Sequence, residues 1–377
     1  MVVGDNGALD LSTGLVGPHR KEHYATRRVA CRIDLSATCP VWLRFLHDAL
    51  PEGAIGTLQE WMGAMLVRGK TREMQKGLII YGPSRTGKTQ ITEVVRALLG
   101  GNTCGLRVRA MSERFGMQPL LTASGWVADD AVGQHEVMDA EAYKVVVTGE
   151  SWSVERKNKT NIEICFDIAV LLTMNNYPVV KDDSDAVYNR SLCLPMTRQW
   201  SEEEALPISR QVIAEELSGV LNWALEGWRR LRARGRFDPP ESMIAASKAF
   251  KGQNNPMEEF LSLCVEVSPQ MYITKNDFIR IFNNWLKIEI GYRHGWSGKN
   301  ITLSLQKNNL IRNIVSDKIH SGHVWVGIRF TEAALAFEDK EFGRPDPSLD
   351  KLNHGLTPAL YEKHCKHAPI PRSKSLF

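Results

Sequence analysis

The sequence predicts an α/β fold: a parallel sheet flanked by helices, with a small helical unit ahead of it and a second, smaller domain behind it. Three observations predict it. A short apolar run, Leu78-Ile79-Ile80-Tyr81, leads directly into Gly82-Pro83-Ser84-Arg85-Thr86-Gly87-Lys88-Thr89 and then into a stretch of helical periodicity. Two further apolar runs end in polar groups, one at Asp129-Asp130 and one at Asn175-Asn176. The stretches before and behind carry their apolar residues at three and four spacing, the helical pattern, rather than in alternation.

The G-x-x-x-x-G-K-T stretch sets the chemistry expected of the sheet. Glycines allow a tight backbone turn, consecutive N–H groups and a helix N-terminus supply positive potential, a lysine reaches outer phosphates, and a threonine hydroxyl suits Mg²⁺. Gly82, Pro83, Ser84, Arg85, Thr86, Gly87, Lys88 and Thr89 are therefore the candidate nucleotide-binding residues, with ATP and Mg²⁺ as the expected ligands. A chance match in a glycine turn is the bland alternative. The apolar run before the turn and the helical stretch Thr89 to Leu99, stopped by Gly100-Gly101, argue against it.

From the start of the chain, residues 1 to about 37 are rich in Gly, Arg and His and read as an irregular opening segment. Residues 38–70 hold two helical patterns, Val41 to Leu50 and Ile55 to Leu66, and read as a packing cap or an assembly collar. The core is expected over 71–237. Within it Arg107 to Met111 reads as a strand, and Gly125 to Ala128 as a better one, because carboxylates follow it directly. Ligands of parallel sheets sit beyond the carboxyl ends of the strands, so Asp129 is the candidate Mg²⁺ partner, through water, and Asp130 the candidate water-polarising group. An ordinary Asp-Asp turn is the alternative.

Ser151 to Arg156 and Thr160 to Phe166 both alternate, and Lys157-Asn158-Lys159 lies between them: a hairpin with a basic tip. Cationic side chains on a projecting loop suit phosphate-backbone contact, although solvated lysines are as good a reading of the residues alone. Ala169 to Met174 reads as a buried strand whose terminal Asn175 could orient water without adding charge. Arg190 precedes another apolar run; a guanidinium there could reach a neighbouring subunit's nucleotide, or serve as an ordinary ion-pair partner.

An amphipathic helix is expected over Ile213 to Trp228, continued by the basic run to Arg236 and ended by Asp238-Pro239-Pro240, where the domain boundary is placed. Residues 238–342 then read as helices over Met243 to Phe250, Pro256 to Val267, Thr274 to Leu286 and Ile301 to Val315, followed by a strand from His323 to Phe330. Helices followed by a short β element suggest a small winged-helix-like domain; packing or oligomer contacts are equally open. The proline-rich tail, 343–377, reads as an extended arm, and its His364-Cys365-Lys366-His367 matches no standard zinc spacing.

The 377 residues are 43% hydrophobic and 24% charged, which excludes wholesale disorder and fibrous repeats. No apolar run approaches the roughly 20 residues of a membrane span, so no membrane partner is expected. The start of the chain lacks a secretory pattern, and the seven cysteines include no C-x-x-C pair; a reduced, intracellular compartment is expected. A formal net charge of +4 permits a nucleic-acid partner without demanding one.

Taken in order between Gly82 and Arg190, the phosphate-binding turn, acid pair, basic hairpin, asparagine strand and following arginine resemble superfamily 3 helicases, and most nearly the helicase halves of phage, plasmid and satellite primase-helicases. The poxvirus primase-helicase is more distant. The resemblance extends through Leu9 to Gly14, Cys39 to Trp42 and Gly219 to Ala224, reaching about Phe260. It implies a hexameric AAA+-type ring in which Lys88 and Thr89 bind ATP and Mg²⁺, Asp129 and Asp130 form the acidic motif, Asn175 is a polar sensor and Arg190 acts across the subunit interface. Lys144, Arg156, Lys157 and Lys159 would face single-stranded DNA in the channel. Two departures stand out: Arg85-Thr86 replaces a common asparagine, and Asp130 stands where many relatives have glutamate, which shortens the carboxylate's reach. Nothing upstream resembles a primase; if the protein works in primer synthesis, that activity is expected from a separate primase or polymerase chain. The expected function is thus an ATP-dependent replicative DNA helicase. The alternative is an ATP-dependent origin-binding or loading protein that remodels duplex without processive unwinding.

Overall fold

The computed structural model describes residues 1–133, 136–180, 185–201, 207–254, 256–290, 295–307, 315–319, 322–338, 348–357 and 360. It divides into two units, Met1–Asn254 and Asn255–Phe377.

The first unit is organised by the parallel sheet, in the order Ser191–Pro195, Gly77–Tyr81, Ala169–Met174, Gly125–Ala128, Thr103–Cys104. Leu78 pairs with Leu171 on one side and with Leu192 on the other, and Val127 pairs with Leu171. The central strands are mostly apolar because both faces are covered, as a parallel sheet requires. Alternate side chains divide between two cores. Leu78, Ile80, Val127, Leu171, Leu192 and Leu194 pack with helix Lys88–Leu98 through Ile91, Val94, Val95 and Leu98. Ile79, Trp126, Ala128, Val170, Leu172 and Cys193 pack on the opposite face with Tyr143, Val146 and Phe250. Each fully buried Val, Leu, Ile or Phe side chain contributes about 1.5–3 kcal/mol, so the central strands are the stable part of the unit.

Helices Pro40–Ala49 and Ala54–Leu66 enter the first of these cores. The second of them crosses helix Leu217–Arg234 at close range: a Cβ on Gly63 would lie 2.2 Å from the Ala224 carbonyl oxygen. Glu60, buried at the same crossing, pairs with Arg230 at 2.7 Å and also with Arg234, so part of the basic run is structural. The opening segment is more ordered than its composition suggests. Val2–Gly4, Gly7–Leu9 and Val16–Gly17 form a small antiparallel sheet, and Val2, Leu9, Val29, Cys31 and Ile33 join the main core.

Several elements differ from expectation. The expected strand at Arg107 to Met111 is a 3₁₀ turn, Val108–Ser112, because Val108 and Met111 are both buried at i, i+3 spacing; the edge strand is Thr103–Cys104. Helix Leu217–Arg234 is preceded by a π-helical turn, Val212–Glu216, whose buried Glu216 accepts the first N–H groups of helix Pro40–Ala49, from Val41 and Trp42, each at 3.0 Å. Asp238-Pro239-Pro240 does not end the unit. Helix Glu241–Asn254 follows, packs along Ser191–Pro195 and contributes Phe250 to the core, so the division falls after it.

In the second unit, helix Pro256–Cys264 is shorter than expected because Val265–Thr274 is a strand. Helix Lys275–Trp285 begins as expected at Thr274, whose side chain accepts from the Asp277 N–H at 3.1 Å. Helix Gly298–Lys307 precedes strands Val315–Ile319 and Gly322–Phe330; the expected helix over Ile301 to Val315 therefore ends before Val315. The antiparallel sheet runs Val315–Ile319, Gly322–Phe330, Val265–Thr274, His354–Gly355, over a core containing Phe260, Phe278, Phe282 and Trp285. The His364 to His367 stretch lies outside the described residues. Among the described residues no helix is long and apolar enough to cross a membrane.

Candidate nucleotide site

The chain leaves Gly77–Tyr81 towards one edge of the sheet and leaves Ala169–Met174 towards the other, since Thr103–Cys104 and Ser191–Pro195 are the opposite edges. The carboxyl ends of these two neighbouring strands therefore form the crevice where such sheets bind ligands. Residues 82–87 span it. Gly82 donates its N–H to Met174 O at 3.2 Å, and a Cβ there would lie 2.0 Å from the Met196 carbonyl oxygen, so only glycine fits. Thr86 Oγ1 donates to Pro83 O at 3.1 Å, Gln199 Nε2 to Ser84 O at 3.1 Å, and the Trp200 backbone N–H to Arg85 O at 2.9 Å. Arg85 itself takes a left-handed backbone, φ 64°.

Lys88 begins the helix and points back over the turn. Its Nζ donates to Gly82 O and Pro83 O at 2.7 Å each and to Asn175 Oδ1 at 2.8 Å. Burial lowers its pKa from the ordinary lysine value, and the charge of Asp130 works in the opposite direction. Asn175, beyond the end of its strand, donates Nδ2 to Asp130 Oδ1 at 3.1 Å, which makes a continuous Lys88–Asn175–Asp130 chain. Asp130 also has a left-handed backbone, φ 44°, held by its N–H to Thr173 Oγ1 at 3.2 Å and by the Ala131 N–H to Thr173 O at 2.9 Å. Strain of this kind collects at functional sites.

Asp129 is held on the neighbouring helix. Thr92 Oγ1 donates to its Oδ1 at 2.7 Å, and Arg96 Nη1 lies 2.7 Å from its Oδ2. Thr89 is exposed in the first turn of the same helix. A cavity of about 410 Å³ opens between Ser84 to Gln90, Asp129, Asp130, Thr173 and Asn175 on the polar side and Phe45, Trp200, Pro207 and Ile208 on the apolar side. The Phe45 and Trp200 rings are 6.4 Å apart at 27°. The structure thus brings together the turn, Lys88, Thr89, both aspartates and Asn175. Sequence reasoning missed Phe45, Thr92, Arg96, Thr173 and Trp200, none of which belongs to a short motif; Thr92 and Arg96, four residues apart on the helix after Lys88, were the detectable pair.

Behind the cavity wall three rings form a column. Tyr81, the last residue before the turn, stacks on Tyr177 at 4.0 Å and 9°, and Tyr177 stacks on Phe250 at 4.6 Å and 17°. The Tyr177 hydroxyl donates to Ala246 O at 3.2 Å, on helix Glu241–Asn254.

Arg190 is not part of this cluster. It precedes Ser191–Pro195, and its carbonyl accepts from the Gly77 N–H at 2.9 Å, so it sits at the amino edge of the sheet. Five residues of strand separate it from the turn, about 16 Å. Its Nη1 donates to Ala186 O at 3.4 Å, and its buried Nε has no hydrogen-bond partner among the described residues. Lys76 lies near it, its pKa lowered by burial and then by the Arg190 charge.

The hairpin has strands Ser151–Arg156 and Lys159–Cys165, one residue earlier in the second strand than expected, with Lys157-Asn158 at the tip and Asn158 at φ 58°. Among the described residues it pairs with no other strand. Lys157 and Lys159 are exposed, while Arg156 Nε turns back to Thr160 O at 2.8 Å. The tip is steadied by the Lys157 backbone N–H donating to Gln118 Oε1 at 2.9 Å. Lys144, on helix Ala140–Thr148 leading into the hairpin, pairs with Glu150 at 3.4 Å.

A family described as "Family of unknown function (DUF5906)" matches residues 80–190, which contain the turn, the acid pair, the hairpin, Asn175 and Arg190. No curated protein matches. The chain is similar to solved structures of the C-terminal region of NrS-1: an apo form at 13% identity and TM-score 0.47, and an A-form apo structure at 11% identity and TM-score 0.45. Each alignment covers 78% of this chain and 77% of that one.

Proposed function

We propose that this chain is an ATP hydrolase that drives DNA unwinding as a ring of the superfamily 3, AAA+ type. The observation that carries the reading is the division of the catalytic set. Lys88, Asp129, Asp130 and Asn175 converge on one cavity, whereas Arg190 sits about 16 Å away along the sheet, too far to reach that cavity, which supports a role towards a neighbouring copy's site. A site completed by a second copy links hydrolysis to the arrangement of subunits.

The residues fit a Mg²⁺–nucleotide complex. The turn and the helix N-terminus would take the phosphates, Lys88 would exchange its carbonyl partners for phosphate oxygens, and Phe45, Trp200, Pro207 and Ile208 would receive the base. Thr89 and Asp129 would hold Mg²⁺, directly and through water; such an ion needs only one or two carboxylates because phosphates and waters complete its shell. Bound there, Mg²⁺ supplies charge neutralisation on the phosphoryl oxygens. Asp130 would polarise the attacking water, with Asn175 fixing its orientation. The exposed lysines of the 151–165 hairpin, with Lys144 and Arg156 behind them, would track a DNA backbone in the ring channel.

Strand displacement tests the reading: Lys88→Ala should abolish it, while a DNA-stimulated ATPase that never separates strands would count against it. The second unit suits an additional duplex contact. Its order of helix, strand, two helices and a strand pair is compatible with a winged-helix-like module. This favours, as second reading, an origin-gripping or loading ATPase, for which duplex rather than single-stranded DNA should stimulate hydrolysis.

A further inference from the structure

Asp129 has both carboxylate oxygens engaged by one helix. Thr92 Oγ1 donates to Oδ1 at 2.7 Å, and Arg96 Nη1 meets Oδ2 at 2.7 Å, while Arg96 Nη2 donates to Val127 O at 3.0 Å. Thr92 is fully buried and also lies 3.1 Å from Thr89 O through the same hydroxyl. The guanidinium therefore bridges the acidic side chain and the strand that carries it, and the whole arrangement is built on the turn after Thr89. Each carboxylate oxygen keeps a lone pair beyond those used, and Asp129 lines the cavity.

We propose that Arg96, together with Thr92, is a positioning residue: it locks Asp129 in one rotamer so that its remaining lone pairs are presented to the metal ion of the bound nucleotide. The inference rests on the nucleotide-site reading above. Partners of a metal-binding carboxylate that fix its orientation typically govern affinity by about 10- to 100-fold. Arg96 is also a cation beside an acidic pair, and on charge alone its loss would tighten a divalent ion. The two side chains are only 29% and 32% exposed, so this charge effect is not screened away, and a Thr92 substitution, which changes no charge, isolates the orienting effect.

The test uses the full chain with a non-hydrolysable ATP analogue and Mn²⁺, followed by electron paramagnetic resonance, with nucleotide affinity measured separately in EDTA. Arg96→Gln is expected to weaken Mn²⁺ by about 10- to 100-fold with nucleotide affinity in EDTA unchanged. Arg96→Lys, which keeps the charge and loses the fork, should recover part of the deficit. Thr92→Val, isosteric and free of any charge change, should weaken Mn²⁺ in the same direction, and keeps the question answerable if the Arg96 variants fold poorly. Unchanged or tighter Mn²⁺ binding in Arg96→Gln and Thr92→Val, with nucleotide bound normally, overturns the inference alone. Wild-type protein that binds no nucleotide with or without metal overturns the site reading and this inference together.

Discussion

Lys88 is joined to Asn175 by a 2.8 Å hydrogen bond, so the helix that follows the glycine-bounded turn and the neighbouring strand end are linked through side chains as well as through the sheet. All three ammonium protons are accepted by protein oxygens, two of them backbone carbonyls. On the proposed reading, an incoming phosphate would displace these partners, and the Asn175 Oδ1 freed from Lys88 would then be available to a water molecule.

Removing that amide should therefore separate binding from turnover. Asn175→Ala is expected to bind an ATP analogue within a few-fold of wild type and to hydrolyse ATP about 10²- to 10³-fold more slowly in single turnover, the usual cost of one preorganised polar group. Equal losses in binding and hydrolysis would instead make Asn175 a structural support for Lys88.

Nucleotide affinity should depend on pH through Lys88. Burial lowers its pKa from 10.5, whereas a bound phosphate favours the charged form and raises it. Binding then takes up a proton above the lowered value, so affinity is full below it and falls as pH rises through it, beginning under pH 10.5. Calorimetric titrations at several pH values check this. Lys88→Arg, which stays charged, should flatten the profile.

Arg190→Ala should leave nucleotide binding intact and stop hydrolysis, because its own cavity is at the other end of the sheet. Mixing this variant with Lys88→Ala, itself inactive, should restore part of the turnover, because the Lys88→Ala subunit brings an intact Arg190 to a neighbour's intact cavity. Mixtures of the two that stay inactive would remove the trans role.

The hairpin tip should contribute affinity without sequence choice. Replacing Lys157 and Lys159 by Ala is expected to reduce the slope of log K against log salt by about 1 for each phosphate no longer neutralised, with equal effect on unrelated DNA sequences. An unchanged slope would mean that these exposed lysines only solvate the loop.

Much of the site was legible because its parts are contiguous. The run from Leu78 to Thr89 carries strand, turn and helix start in one stretch, and Asp129-Asp130 and Asn175 each close an apolar strand. What was not legible depends on chain segments distant in sequence. Phe45 and Trp200 meet only after folding, and Glu216 caps a helix that begins at Pro40. The opening segment read as irregular because its strands are two or three residues long, too short to show alternation. Val265–Thr274 was hidden for a different reason: its first apolar residues continue the spacing of the preceding helix.

The ring column of Tyr81, Tyr177 and Phe250 gives the cavity a lever. Aromatic faces with centroids 4.0 and 4.6 Å apart cannot be pulled out of contact without giving up stacking worth about 0.5–1.5 kcal/mol per pair. Tyr177, two residues beyond Asn175, thereby ties the strand end beside the cavity to helix Glu241–Asn254 through both stacks and the Ala246 bond, so neither can shift far without disturbing the other.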